Sequence, residues 1–292
     1  MVEVRYTREL AEAAEGLEAG LSADPVANNV ALSIIDWLRR KGGDGHFWWI
    51  GDGGSPSAFA LQGQAGRPLL VSTNERAKTG VLVDAVAEVI RDDDEVVGMV
   101  SGEIRSAAAF AGGWAQNRGV GAKVALIQRL YSLDTARLQR PANPPPGDLR
   151  LATVDDVDVL LPWALGFQRD VFGRGVTDVA GLDEEMVAKV EQDEVWIWEA
   201  DRPMAMTCNT RPVGATSRIQ QVYTPLENRG RGFAAACVAG VVDRLVIDRD
   251  VERCVLLTDL ANPTSNAVYQ RLGFEAIEEQ ANIEFENRSP NR

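Results

Sequence analysis

The chain holds little of what several chemistries require. Among its 292 residues there are one histidine and three cysteines, and basic residues are outnumbered by acidic ones, 30 against 43, for a formal net charge of −13. Such a surface repels a phosphate backbone, so no nucleic-acid partner is expected. His46 stands beside Phe47, Trp48 and Trp49, a setting that suits a strand residue better than a catalytic base. Cys208, Cys237 and Cys254 are odd in number and include no CxxC pair, which points to reduced, buried thiols. No metal is expected. No apolar run approaches the ~18 residues of a membrane span, so no membrane partner is expected either. The opening MVEVRYTRELAEAAEG is charged throughout, unlike a secretory leader. A cytoplasmic location is the expectation.

What the chain does have is an ordinary globular composition, 45% hydrophobic and 25% charged, with length for one large or two ordinary domains. Residues 141–147, PANPPPG, carry four prolines in seven positions and favour an extended spacer over a helix or central strand. They predict a first domain over 1–140 and a second over 148–292. Hydrophobic periodicity in the first half predicts helices over Arg8–Leu21 and Val26–Lys41, then strands at Gly45–Ile50, Ala58–Gln62 and Pro68–Thr73. A helix over Val81–Ile90, a strand over Val96–Ser101, a helix over Ile104–Ala115 and a strand over Val124–Ser132 follow. The acidic run Asp92–Glu95 is expected to be a solvated helix end.

The second half repeats that order. Helices are expected over Val154–Val171 and Asp183–Glu191, and strands over Val195–Ala200, Met204–Thr210 and Ile219–Thr224. A helix over Phe233–Val246, a strand over Cys254–Thr258, a helix over Pro263–Leu272 and a strand over Ile283–Glu286 complete it. Two passes of one order indicate a tandem duplication. Trp196 and Trp198 share one strand face by period-two spacing and suit core packing.

One stretch organises the second half: IQQVYTPLENRGRGFAAA, Ile219–Ala236. An apolar strand ends at Val222, Tyr223 and Thr224, Pro225 begins a turn, and a glycine-rich segment leads into a helix. The first-turn N–H groups of such a helix lack intrahelical partners and its dipole favours an anion. Gly230 and Gly232 admit a phosphate close to the backbone. Arg229 and Arg231 can add charge-assisted bonds. On an acidic chain, an anionic ligand has to be met by local groups of this kind. The segment is not the nucleotide P-loop, which needs G-x-x-x-x-G-K-[S/T]. A second stretch, Asp259-Leu-Ala-Asn262-Pro-Thr-Ser265-Asn-Ala-Val-Tyr269-Gln-Arg-Leu-Gly273-Phe274, reads as a short helix. Asn262 suits the cap, Pro263 the first turn and Gly273 the stop.

Arg229-x-x-Gly232-x-Ala234 resembles the [Q/R]-x-x-G-x-[G/A] signature of the GCN5-related N-acetyltransferase superfamily. The second stretch is similar to that family's N-x-x-[A/S]-x-x-x-Y-x-x-x-G-[F/Y]. The resemblance implies an α/β (α+β) fold of two tandem acetyltransferase-type domains, each a mixed, largely antiparallel sheet flanked by helices. It implies acetyl-CoA as cosubstrate and an amine of a small molecule or peptide as acceptor. Val222, Tyr223 and Thr224 would pair with pantetheine through their backbones. Arg229, Gly230, Arg231, Gly232, Phe233 and Ala234 would hold the pyrophosphate, with Asn262 and Ser265 by the pantetheine arm. Tyr269 would protonate the departing thiolate.

The first copy departs from this pattern. Aligning Arg76 with Arg229 puts Thr79 where Gly232 stands, and a second alignment sets Glu103 against Asn262 and Phe110 against Tyr269. A phenyl ring donates no proton, so the first half is expected to be a degenerate copy, with Asn74–Gly80 an exposed loop. The base is not identified. Central-strand positions that carry glutamate in many relatives hold Gln220 and Gln221, leaving Asp170, Glu199 and Asp259 as candidates. A lysine-type amine, of pKa about 10.4, is neutral in about one molecule in a thousand at pH 7, whereas an α-amino group near 8 loses only about 1 kcal/mol. A non-catalytic acyl-CoA sensor, or transfer of a longer acyl chain set by depth near Cys237 and Leu257, remain alternatives. Oligomeric state is not indicated.

Overall fold

The computed structural model describes residues 3–51, 55–73, 75–90, 97–173 and 181–286. Asn74 and the acidic run Asp92–Glu95 lie outside the described residues. The chain forms two compact units, Met1–Arg129 with Glu278–Arg292, and Leu130–Ile277.

The first unit opens with β1 (Arg5–Thr7), α1 (Leu10–Ser22) and α2 (Asn29–Lys41), followed by β2 (His46–Ile50), β3 (Ala58–Gln62) and β4 (Leu69–Thr73). Then come α3 (Arg76–Val89), β5 (Met99–Glu103), α4 (Ile104–Arg118) and the start of β6 (Gly121–Asp134). The chain's last strand, β12 (Glu275–Glu286), returns to this unit and pairs antiparallel with β5, Gln280 opposite Glu103 and Glu284 opposite Met99. Its strand order is β1-β2-β3-β4-β5-β12. β4 and β5 pair in parallel, Leu69 opposite Val100 and Leu70 opposite Ser101. A parallel pair needs a crossover, which α3 supplies.

The second unit repeats the scheme with β7 (Asp148–Leu151), α5 (Val157–Phe172), α6 (Leu182–Glu191), β8 (Val195–Glu199) and β9 (Pro203–Asn209). It continues through β10 (Thr216–Tyr223), α7 (Phe233–Arg249), β11 (Arg253–Asp259) and α8 (Pro263–Arg271). Its strands lie in the order β11-β10-β9-β8-β7, with β10 and β11 parallel and α7 crossing between them. Val238, Val241, Val242 and Leu245 of α7 are buried against Ile219, Trp196 and Leu256. Burying each contributes about 1.5–3 kcal/mol, which outweighs the few tenths, about 0.5 kcal/mol, that a valine costs in a helix. Trp196 and Trp198 pack inward, their indole N–H groups donating to Asn209 Oδ1 (2.8 Å) and Pro146 O (3.1 Å). The proline-rich segment 141–147 therefore lies within the second unit and is bonded to it. The three cysteines are buried and unpaired, and burial pushes each thiol up to about 12. His46 opens β2, its ring stacked 5.5 Å from that of Trp48.

Four elements differ clearly from the sequence expectation. Residues 76–80 are not a loop but the first turns of α3, and Thr79 is buried there, its hydroxyl 3.1 Å from that of Thr73. β1 and β7 are short edge strands of mixed polarity that carry no periodic signal. β12 starts at Glu275, eight residues ahead of the expected Ile283, because its charged residues read as loop.

The two copies keep corresponding caps. The Glu103 carboxylate accepts from the N–H groups of Arg105 and Ser106 (3.0 Å each) at the head of α4, and Asn262 Oδ1 accepts from Ser265 N (3.1 Å) at the head of α8. Phe110 and Tyr269 follow at the same offset, both buried.

An ion-pair cluster staples the open edge of the second unit. Arg150 on β7 grips Asp156 (2.7 Å) and Glu199, and Asp156 also accepts from Thr153 N (2.8 Å). Arg150, above all, holds the Asp156 carboxyl down at about 2, against an ordinary 3.8. A carboxylate with a depressed folded pKa stabilises above its unfolded pKa and loses that contribution as pH falls through the folded one. Asp156→Asn is therefore expected to lower the unfolding midpoint at pH 5–7, with the deficit shrinking from about pH 4 and gone near pH 2. Thermal unfolding of both proteins across that range checks it; a deficit independent of pH would assign the effect to packing.

Candidate active site

The site begins where β10 and β11 separate. They pair from Thr216 opposite Arg253 to Ile219 opposite Leu256 and no further, although β10 runs on to Tyr223 and β11 to Asp259. Gln221 stands two residues past the last β10–β11 pair. Its φ of 48° is left-handed, and the register of β10 against β9 shifts between Gln220 and Tyr223. A non-glycine residue in that region costs about 1–2 kcal/mol, so the bulge is held in place by its surroundings. Two polar atoms are buried here without a partner, Gln221 Oε1 and Thr224 Oγ1. Each such atom costs about 1–3 kcal/mol while unmet, which marks the end of β10 as a place with polar demand. Tyr223 turns to the α5 side, where a Cβ on Gly166 would stand 2.4 Å from its hydroxyl. Only glycine lets α5 lie this close.

Past Pro225, a 3-10 turn over Leu226–Asn228 is anchored by buried Asn228, whose amide donates to Met204 O (3.1 Å). Gly230 and Gly232 then take left-handed φ values of 74° and 85°. Gly232 is the residue before α7 and provides no side-chain cap, and the first bond into the helix is Ala236 N to Gly232 O (3.1 Å). The N–H groups of Phe233, Ala234 and Ala235 thus have no helical acceptor. Phe233 is buried and fixes the helix start, and the Arg231 guanidinium lies 4.9 Å from its ring centre, on an exposed side chain. Arg229 is differently placed. Its Nε donates to Thr224 O (2.9 Å), its other end pairs with Asp170, and its guanidinium lies 5.5 Å from the Tyr223 ring centre. It braces the turn, while Arg231 is the outward cation.

The other wall is α8. Asn262 is exposed and spends its side-chain oxygen on the cap, so what its side chain has left to offer is the amide N–H donors. Tyr269 is buried in the cluster that Val222 also packs against, so β10's end and this phenol meet in one core. Burial raises the Tyr269 hydroxyl well above its ordinary value and keeps it a neutral donor. Sequence reasoning missed Tyr131 of β6, whose ring lies 6.5 Å from that of Tyr269. The Tyr131 hydroxyl donates to Asn266 Oδ1 (2.9 Å) and accepts from Gln270 Nε2 (3.2 Å), and Asn266 Nδ2 donates to Asp259 O (2.9 Å). This chain ties α8 to the end of β11 and so sets where Tyr269 stands. Nothing in the local pattern of residues 124–132 signals it.

The three carboxylates expected as bases are each engaged. Asp170 pairs with Arg229 beside the end of β10; Glu199 is on β8, bound to Arg150. Asp259 accepts from Ala261 N (2.8 Å) in the turn before α8. Asp170 is thus joined through Arg229 to the parted strand, and Glu199 stands two strands away from it.

A family model described as FR47-like protein matches residues 199–283, from the end of β8 into β12. Solved structures cover the whole chain. A Drosophila protein aligns with a TM-score of 0.69 at 11% identity, spanning 99% of this chain and 100% of its own. A tandem GNAT protein from the clavulanic acid biosynthesis pathway aligns at 0.56 and 14% identity, spanning 99% and 100%. The fold is that of the GCN5-related N-acetyltransferases. A GCN5-related N-acetyltransferase from Sphaerobacter thermophilus gives 0.57 at 15% identity, over 99% of this chain and 97% of that one. No curated protein matches the sequence. Within the acetyltransferase fold the parted β10 and β11, the glycine turn and α8 occupy one unit, and the family-model match falls mainly on it. Among the described residues no helix is long and apolar enough to cross a membrane.

Proposed function

We propose that the second unit is an N-acyltransferase that uses acetyl-CoA and acylates a primary amine of a small molecule or peptide. The observation that carries this reading is the gap between β10 and β11. Two unmet buried polar atoms lie where β10 ends, and the same unit carries an uncapped helix N-terminus after the glycine turn and a buried phenol in the core that Val222 packs against. These residues fit the cosubstrate: backbone groups of Val222–Thr224 suit an amide-bearing arm, and the N–H groups of Phe233–Ala235 with Arg231 suit a pyrophosphate. Asn262 offers amide N–H groups to the same arm, with Ser265 one turn on. The thioester supplies an activated acyl carbon.

Tyr269 donates a proton to sulfur as the C–S bond breaks and the new C–N bond forms. Free phenol and thiol differ by about 1.5 pKa units, roughly 2 kcal/mol uphill. The burial that raises Tyr269 also raises a thiol in the same dry pocket, so the gap does not widen in proportion. The attacking amine must lose a proton, and Asp170 can receive it only by yielding part of its pairing with Arg229. That engagement of all three carboxylates favours one second reading, a non-catalytic acyl-CoA-binding protein.

The test is calorimetric titration of the full chain with acetyl-CoA, followed by CoA release with a panel of amines. One site per chain and amine-dependent release are expected. Absence of binding would overturn the reading, and binding without release on any amine would favour the second.

A further inference from the structure

The first unit contains a large cleft of about 1260 Å³ that the reading above does not use. Its walls come from the start of β3, the end of β4, the start of α3, one face of α4, the α1–α2 connection, and Glu278 and Glu279 of β12. It stands where the second unit has its gap, yet its chemistry is different. The β4–β5 register also stops short of the strand ends, at Leu70 opposite Ser101, but the two backbones are still in close contact one residue further, where a Cβ on Gly102 would be 2.2 Å from Val71 O. At the end of β4 the Ser106 hydroxyl donates to Thr73 O (2.7 Å) and accepts from Thr73 N (3.2 Å). The strand end that would pair with an amide-bearing ligand is thereby filled from within the protein. Acidic groups also replace the cationic turn, with Glu75, Glu103, Glu278 and Glu279 against Arg105 among the lining residues.

These carboxylates are not equally satisfied. Glu75 has Lys78 (2.7 Å), Glu279 has Arg129 (2.8 Å), and Glu103 caps α4. Glu278 is answered by the neutral amide of Gln280 (3.1 Å). Burial, with Glu103 and Asp24 adding to it and the Gln280 bond opposing, holds Glu278 above the usual carboxylate range. A cation beside it would relieve both effects. Phe59, Leu21 and Ile104 give the same cleft apolar wall, and the space is kept open by small residues. A Cβ on Gly80 or Gly112 would meet nothing within 4 Å.

We propose that this cleft binds an aliphatic polyamine, with ammonium groups at the Glu278 side and methylene runs along the apolar wall. Acyl-CoA, a polyanion, is excluded from it. The proposal concerns the first unit alone and does not rest on acyl transfer in the second.

The test is calorimetric titration of the full chain with spermidine at 0.15 M salt, with and without saturating acetyl-CoA. One site is expected, unchanged by acetyl-CoA. Glu278→Gln should weaken it by about tenfold or more. Gly112→Trp, which fills open space from a helix face, should abolish it. Glu227→Gln, an exposed carboxylate of the second unit, should leave it unchanged. No binding would overturn the proposal. So would binding that Glu278→Gln does not weaken, which would assign it to the acidic surface at large, or binding that acetyl-CoA displaces.

Discussion

Tyr269→Phe is expected to reduce amine-dependent CoA release by about 10²-fold or more while leaving acetyl-CoA affinity within about twofold. General acids contribute typically 10²–10⁴-fold, and a hundredfold loss corresponds to about 2.7 kcal/mol of barrier. The substitution removes one hydroxyl and keeps the ring that packs between Tyr131 and Phe274. The fold should therefore persist, as Phe110 at the matching position of the first unit illustrates. Stopped-turnover measurement of CoA release beside a binding titration separates the possibilities. Full activity in the variant would remove Tyr269 from the chemistry, and loss of affinity in step with turnover would make it a packing residue.

Gly232→Glu should weaken acetyl-CoA binding by about 10²–10³-fold. A new carboxylate some 4 Å from a phosphate opposes it by about 4 kcal/mol at a surface-like dielectric, and it cancels the helix-end attraction of up to about 2 kcal/mol. The variant also forces a side chain into a φ of 85°, so its strain needs a control. Gly232→Ala supplies one. Its Cβ would lie 3.7 Å from Pro145 Cδ, an ordinary contact, leaving only the backbone term, about 1–2 kcal/mol of stability. If both variants lose affinity equally, conformation and not charge governs the turn. If neither does, the helix end is not the phosphate site.

Most elements were legible in the sequence, and the physical reason is periodicity. β2, β3, β8 and β9 are apolar runs between turn residues, and α7 and α8 carry their own start and stop signals, so their limits came within a few residues. The duplication was legible for the same reason. What local pattern could not carry is pairing over distance. The association of Tyr131 with Asn266 and Gln270, and the return of Glu278–Glu286 to β5, join residues more than a hundred positions apart. EAIEEQANIEFE looks solvated because it carries five glutamates and its polar residues alternate with Ala281, Ile283 and Phe285, which pack on the core. At the site, the residue types were readable but their engagements were not. Arg229 was expected at a pyrophosphate and Asp170 was one of three candidate bases, and the two side chains pair with one another. The φ of Gln221 had no signal at all, because left-handed glutamine is imposed by the surrounding sheet and not by the residue.

The return of the last strand has a consequence for how the protein is made. The second unit is one continuous run of chain, Leu130–Ile277, set between the two pieces of the first. As synthesis proceeds from the N-terminus, the first 129 residues emerge without the strand that covers β5, and Val100 waits for Ala281 and Ile283. The later-made unit can close its core before the earlier one does. During that interval the free edge of β5 is open to strands of other nascent chains. A ribosome that stops short of residue 278 would release a finished second unit tethered to an unfinished first.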